Sequence, residues 1–405
     1  MTVNTLFLSD VQLNNPSSGA EQVLHQQVRG FEKLGQKIVA ITRANGKGAD
    51  FVYEQRRIKV GTYFADTGNP IGFVLAVFRK PIKHYEVLRP DRPIDILIAH
   101  QPYTFLSFIL RGLTGKIPVI YIYHSPSHEE YALTHQGTFS IVRKVNAAIR
   151  KYIEGFCIRR AQKVITLSQY MAQKAATIHQ VPNRYITVNP GGANLEKFKP
   201  LNNRKQIKSD LNLPADKIHL FTLRNLDPRM GIENLLQAIK ILKNEGMRLH
   251  LLIGGEGPER TKLQRLAINL ELKQEVTFTG FIHADDLCRY YSAADFFILP
   301  TRNLEGFGLV TPEALACGTP VLATPVGGSI EILSTFNPAL LFNDPSADAM
   351  ASGLKQIVDN YFNDESKYLE LRKNCRDHVE SKYSWKRHVD TLGLIAKEVV
   401  STVTH

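Results

Sequence analysis

No apolar run in this chain is long enough to cross a membrane. The longest, Ile71 to Phe78, contains a glycine and falls far short of the roughly 18 residues a spanning helix needs. Cysteine is scarce: the 4 present, Cys157, Cys288, Cys317 and Cys375, stand far apart with no C-x-x-C pair. That argues against a zinc site or a disulfide framework and leaves each as a small buried apolar residue. There is no low-complexity tract and no period of solenoid type. No G-x-G-x-x-G follows the first strand, which sets aside a plain dinucleotide dehydrogenase. No basic n-region or apolar h-region precedes the strand-like Thr5-Leu6-Phe7-Leu8, so the expectation is a cytoplasmic protein.

What is present fits two globular cores. A chain of 405 residues exceeds one ordinary domain and suits two of about 200 each. Its net charge of +12 is unevenly divided: residues 1–200 hold 26 Lys and Arg against 13 Asp and Glu, while residues 201–405 hold 24 against 25. Two readings of the basic half stand: it faces an anionic partner such as a membrane surface or acidic polymer, or it carries ordinary solubility charge.

Short β-branched runs alternate with helical patterns, as in parallel α/β domains. Strands are predicted at Thr5–Ser9, Lys37–Ile41, Asp95–Ala99, Pro118–His124, Lys163–Leu167 and Tyr185–Val188. Val23, Leu24, Val28, Phe31 and Leu34 recur at helical spacing between the first two, and Gly35 stands where that helix would stop. Turn chemistry at Asn189 to Asn194 marks a boundary. The alternation then restarts with strands at Ile218–Leu223, Leu249–Ile253, Val276–Thr279, Asp295–Leu299 and Val321–Ala323. The expected organisation is a domain over 1–190, a second over 191–384, and a C-terminal helix at about 385–405 packing back on the first. Open parallel sheets bind ligands at the carboxyl ends of their strands, so a cleft between two such domains is the natural site.

The most informative segment is Glu305-Gly306-Phe307-Gly308-Leu309-Val310-Thr311-Pro312-Glu313-Ala314-Leu315-Ala316-Cys317-Gly318-Thr319-Pro320. Thr311 reads as an N-cap, Pro312 as the first helical residue and Gly318 as the stop. Small residues ahead of a helix start suit a diphosphate. The two carboxylates would repel it and so address hydroxyl groups, Glu313 those of a ribose and Glu305 those of a hexose. Arg224-Asn225-Leu226-Asp227-Pro228-Arg229-Met230-Gly231 places two guanidiniums at a strand's carboxyl edge, suited to bidentate phosphate contacts. Gly254-Gly255-Glu256-Gly257-Pro258 is another strand-to-helix turn, Val276 to Ile282 a strand and turn that carries Phe281, and Gly19 lies in the first βα turn, Ser17 to Glu21. His124 closes the fourth predicted strand and His100 the third, with His128 and Glu129 just beyond.

Glu305 through Glu313 resembles the E-x7-E motif of the family-four retaining glycosyltransferases, within the longer pattern E-G-F-G-x-x-x-x-E-A-x-A-x-G-x-P. The resemblance implies an α/β protein of GT-B type, two Rossmann-like doubly wound domains facing an interdomain cleft. It implies that Glu305 contacts the donor sugar and Glu313 the ribose. Gly306, Phe307, Gly308, Leu309 and Val310 line the diphosphate; Gly255, Phe281 and Gly19 stand where the family approaches the donor; His124 matches a histidine beside the donor sugar. Arg224 and Arg229 resemble the Arg and Lys of G-R-L-x-x-x-K-G shifted by one residue, since Asn225 and Met230 occupy the usual places. Asn194 replaces the Asp of the family's G-V-D turn. His100, His128 and Glu129 are acceptor-side candidates.

The implied activity is retaining transfer of a hexose from a nucleotide diphosphate sugar, UDP-linked by default and GDP-mannose next, to a lipid-linked or cell-envelope glycan acceptor. No metal and no cofactor is expected, because the Asp285-Asp286 pair lacks the strand-flanked D-x-D context. The alternatives are a nucleotide-sugar-binding protein with weakened catalysis and a GT-B epimerase. Ile71, Phe73, Val74, Leu75, Val77 and Phe78 lead into Arg79, Lys80 and Lys83. With Arg143, Lys144, Arg150, Lys151, Arg159 and Arg160 they suggest a peripheral membrane face, opposed by the reading in which the apolar residues are core.

Overall fold

The computed structural model describes residues 3–44, 46, 50–66, 69–88, 93–135 and 140–403. The chain divides into two compact units, one of Met1–Gly191 with Trp385–His405 and one of Gly192–Ser384.

The first unit is an eight-stranded sheet of β1 (Asn4–Ser9), β2 (Lys37–Ala44), β3 (Phe51–Gln55), β4 (Ile58–Phe64), β5 (Ile96–His100), β6 (Val119–Tyr123), β7 (Lys163–Thr166) and β8 (Ile186–Val188), in the order β3-β4-β2-β1-β5-β6-β7-β8. Every pairing is parallel except β3 with β4. Helices cover both faces, so β5 and β6 are buried along their whole length and read as unbroken apolar runs rather than alternating ones.

The β3–β4 hairpin escapes sequence reading for two reasons. Its turn puts Arg56 at φ 55°, where glycine or asparagine would be the usual signal, and β3 lies exposed on the sheet edge without alternation. Ser18 begins the helix Gly19–Lys33 with a capping box closed by Glu21, and Gly35, at φ 81°, ends it. The helix Trp385–Val403 returns to this unit and packs on that first helix. Gly30 makes the approach possible, because a Cβ there would lie 2.4 Å from a methyl of Val389.

The second unit is a parallel sheet of β9 (Ile218–Leu223), β10 (Leu249–Gly254), β11 (Val276–Gly280), β12 (Phe296–Leu299) and β13 (Val321–Ala323), ordered β11-β10-β9-β12-β13. The segments by which the chain enters and leaves this unit are clasped together: the amide of Ala193 donates to the Tyr383 carbonyl at 2.9 Å. In both sheets the strand order reverses beside the first strand, between β1 and β5 and between β9 and β12, where doubly wound sheets open a crevice.

Glycine sets how closely the loops at this end of the second sheet meet. A Cβ on Gly231 (φ 74°) would lie 1.8 Å from the Pro300 carbonyl oxygen, and one on Gly255 (φ 108°) 1.9 Å from that of Arg224. Both positions need left-handed backbone and tolerate no side chain. Gly231→Ala is therefore expected to destabilise the protein by more than about 1 kcal/mol, read as a lower midpoint in urea unfolding; an unchanged midpoint would show that the loops can separate freely.

Candidate active site

The second unit gathers most of the residues singled out from sequence at the carboxyl edge of β9, β10 and β12. Arg224 follows β9 and turns its guanidinium onto Glu305, Nη2 to Oε2 at 2.5 Å. Thr301, just past β12, donates its hydroxyl to the same carboxylate oxygen at 3.0 Å and accepts from Arg224 at 3.2 Å. Glu305 is buried, so the carboxylate is held as an ion pair reinforced by a hydroxyl. Arg224 Nε is buried without a partner, as are the hydroxyls of Thr311 and Ser329.

The loop carrying Glu305 is pinned on both sides. Arg229 donates to the Leu304 carbonyl at 2.9 Å, and Leu304 itself is left-handed at φ 57°. On the other side the amide of Gly328 donates to the Glu305 carbonyl at 3.0 Å, and a Cβ on Gly327 would lie 1.9 Å from that oxygen. Thr301 and the Gly327-Gly328 pair were missed by sequence reasoning; two adjacent glycines directly after a strand and a proline were the available signal.

The helix of the E-x7-E segment differs from the expectation. It runs Val310–Ala316, with Leu309 already helical before it and no side-chain cap; Thr311 is inside the helix, and Pro312 is its third residue. The stop at Gly318, φ 71°, is as read. Glu313 lies in the first turn and accepts from the Tyr291 hydroxyl at 3.0 Å. Burial pushes its carboxyl up to about 7, against smaller opposing effects of that hydrogen bond and of Lys197. Tyr291 is fully buried among Phe198, Phe221 and Phe297, and nothing in its spacing distinguished it from a core aromatic.

Among the remaining donor-side candidates, Gly306, Leu309 and Val310 are half-buried, and Gly308 is buried in left-handed backbone. Phe281 is exposed just after β11. The Phe307 side chain is not available to a ligand, because it is buried against Tyr383 with ring centroids 6.0 Å apart. Asn225 is exposed, whereas Met230 is buried with its sulfur 2.8 Å from Arg224. Asn194 accepts from the amides of Glu196 and Lys197, stabilising its own turn. All four cysteines are buried thiols as expected, but Cys288 and Cys317, distant in sequence, bring their sulfurs to 3.6 Å.

In the first unit Gly19 is exposed as the first residue of its helix, outside the left-handed region, and the adjoining loop is held by Glu21, which accepts from the Ser17 and Ser18 amides at 2.7 and 3.0 Å. His124 is half-buried just past β6. His100 ends β5 fully buried, closed to any acceptor. Glu129 is engaged by Lys174 at 2.6 Å, and the His128 ring lies against His179. Among the described residues no group of three or more His, Cys, Asp or Glu side chains is placed to hold a metal ion, and no helix is long and apolar enough to cross a membrane.

Two Rossmann-like units, one presenting an arginine-held carboxylate at its topological switch point, define a GT-B protein. Residues 17–197 match the family described as Glycosyltransferase Family 4 and residues 203–380 the family described as Glycosyl transferases group 1. A D-inositol 3-phosphate glycosyltransferase of Mycolicibacterium gilvum is 32% identical over 345 residues, 83% of this chain and 73% of that one. The chain belongs to the family-four glycosyltransferases. An uncharacterized glycosyltransferase of Methanocaldococcus jannaschii is 28% identical over 243 residues, 59% of each chain. An alpha-monoglucosyldiacylglycerol synthase of Streptococcus pneumoniae is 31% identical over 213 residues, 51% of this chain and 46% of that one. The matched stretch thus spans only about half of the length of these last two relatives. Among solved structures, sucrose-phosphate synthase from Thermosynechococcus elongatus superposes with TM-score 0.81 at 22% identity, covering 98% of this chain and 100% of that one. An Anabaena protein, HepE, in complex with UDP-glucose superposes with TM-score 0.73 at 18% identity, covering 98% and 99%. These two likenesses concern the fold.

The position of Glu313 carries a pH signature. A carboxylate that accepts the ribose hydroxyls of a nucleotide is favoured in its ionised form, so binding lowers a pKa that burial has raised to about 7. If the nucleotide is UDP and Glu313 takes its ribose, UDP affinity is expected to rise as pH increases through about 7 and then level off, with proton release near neutrality visible by calorimetry in buffers of differing ionisation enthalpy. The release should vanish in Glu313→Gln; identical proton release in that variant would exclude Glu313 as its source.

Proposed function

We propose that this protein is a retaining glycosyltransferase that moves a hexose from a nucleotide diphosphate sugar, UDP-linked in the first instance and GDP-mannose as second choice, to a lipid-linked or cell-envelope acceptor. The observation that carries this reading is the Glu305 carboxylate, buried and aligned by Arg224 and Thr301 at the strand-order reversal, ahead of a turn that presents Glu313. In this reading Glu305 engages the hydroxyls of the donor hexose and Glu313 the ribose. The orphaned Arg224 Nε and the guanidinium nitrogens of Arg229 that do not hold Leu304 meet the diphosphate. Leaving-group charge is handled by these arginines without a metal or cofactor, and an acceptor hydroxyl attacks the face the nucleotide leaves. The named activities of the M. gilvum and S. pneumoniae relatives support glycosyl transfer, and the latter supports a lipid acceptor.

A surface feature favours an acceptor at a membrane. On the helix Ser140–Ile158, Ile141, Val142, Val145, Ile149 and Tyr152 are each more than half exposed, as are Ile71 and Val74 at the start of the helix Pro70–Leu88. Tyr103 joins the two helices, its ring 5.8 Å from that of Phe73 and 5.8 Å from the Arg150 guanidinium carbon. The basic set is smaller than the sequence suggested. Lys80 is paired with Asp50 at 2.6 Å, Arg150 is stacked over Tyr131, and Arg159 and Arg160 lie beyond the helix end. Val77 belongs to the core. Arg79, Lys83, Lys144 and Lys151 remain exposed, each worth about 1 kcal/mol against an anionic leaflet.

Two experiments test these readings. Screening nucleotide sugars for binding and slow donor hydrolysis identifies the donor, and Glu305→Gln is then expected to cut turnover on the order of a hundredfold while the protein stays folded. Wild-type turnover in that variant removes Glu305 from the site. The protein should co-sediment with phosphatidylglycerol vesicles and not with neutral ones, in a salt-sensitive manner. Ile141→Asp with Ile149→Asp should abolish that binding, whereas equal, negligible binding of the wild type to both vesicles at low salt would leave a soluble acceptor.

A further inference from the structure

Four side chains of the first unit form one line of hydrogen bonds from the C-terminal helix to the end of β6. His388 Nδ1 lies 2.9 Å from the Pro190 carbonyl oxygen. Its Nε2 lies 3.0 Å from the amide nitrogen of Gln27. The amide oxygen of Gln27 lies 2.9 Å from His100 Nε2, and His100 Nδ1 lies 3.0 Å from His124 Nε2. Gln27 and His100 are fully buried and His388 nearly so. Burial pushes His388 and His124 down to about 4 and His100 well below its ordinary value, so all three rings are neutral at physiological pH.

Neutrality makes the line directional. A peptide carbonyl only accepts, so the single proton of His388 is on Nδ1 and its Nε2 is an acceptor. Gln27 must then donate its amide to His388 and turn its oxygen to His100. That oxygen accepts the proton on His100 Nε2, which leaves His100 Nδ1 as an acceptor for the N–H of His124 Nε2. Reversing any member would place the lone pair of His388 Nδ1 against the Pro190 oxygen, or two acceptors against each other elsewhere in the line. The remaining nitrogen, Nδ1 of His124, takes no hydrogen bond among the described residues and carries a lone pair.

We propose that Gln27, His100 and His388 are positioning residues that hold His124 as the Nε2–H tautomer, so that its Nδ1, past the end of β6, is left as an acceptor for a substrate hydroxyl. That the hydroxyl belongs to a sugar donor rests on the glycosyl transfer proposed above; the tautomer does not. Neither Gln27 nor His388 belongs to a recognisable motif, and they meet only because the last helix returns to the first.

Ring nitrogen NMR on the 15N-labelled protein tests this, with His124 assigned from its absence in His124→Gln. The wild type is expected to show His124 and His100 as Nε2–H tautomers and His388 as Nδ1–H. Gln27→Leu breaks the line and should turn His124 into a mixture, with hydrolysis of UDP-glucose slower on the order of tenfold, the scale of one lost hydrogen bond. An Nδ1–H tautomer of His124 in the wild type overturns the proposal without any variant. So does a His124 tautomer unchanged in Gln27→Leu. If the tautomers behave as expected while His124→Gln hydrolyses UDP-glucose at the wild-type rate, the line of hydrogen bonds stands and the assignment of His124 to the donor falls.

Discussion

A carboxylate removed from water must be paired, and in the second unit much of the local architecture serves the pairing of Glu305. Leaving such a charge uncompensated typically costs about 3 to 5 kcal/mol, a large fraction of the stability of an ordinary domain. Arg224 therefore has to reach it from the end of β9 and Thr301 from the end of β12. For those two strand ends to lie so close, the intervening loops must touch backbone to backbone, which is why Gly231, Gly255 and Gly327 stand where no side chain fits. The glycines, the arginine and the carboxylate are one device.

That device explains how the first residue of the E-x7-E segment differs from the second. Glu305 is locked by charge before any ligand arrives. Glu313 accepts from a neutral tyrosine hydroxyl instead of an arginine, and burial has moved its ionisation to the physiological range. Two carboxylates eight positions apart thus face different constraints, one held in place and the other free to change charge when a hydroxyl-bearing ligand comes in.

Much of this was legible in the sequence where local signals and tertiary structure agree. The strands of the second unit are nearly all as read, because buried parallel strands are short apolar runs bounded by turns, and the fold class and family follow from them and from one long motif. Three kinds of feature were not legible. The β3–β4 hairpin uses an arginine where the turn's geometry calls for glycine. Thr311 looks like a cap, but the loop before it is already helical, so the hydroxyl is enclosed instead. That Arg224 also holds a carboxylate and Arg229 a carbonyl could not be read, because those partners lie 81 and 75 positions later. His100 likewise reads as an acceptor-side candidate at a strand end, and only the returning helix shows why it is sealed.

The return of that helix also orders the events of synthesis. Residues 192–384 form a continuous unit that can close its sheet as soon as it has left the ribosome, whereas the first unit, although begun earlier, lacks its last helix until then. During that interval the face of Gly30 that receives Val389 is uncovered, and Gln27 has no histidine to meet. The half of the protein made first is the half completed last.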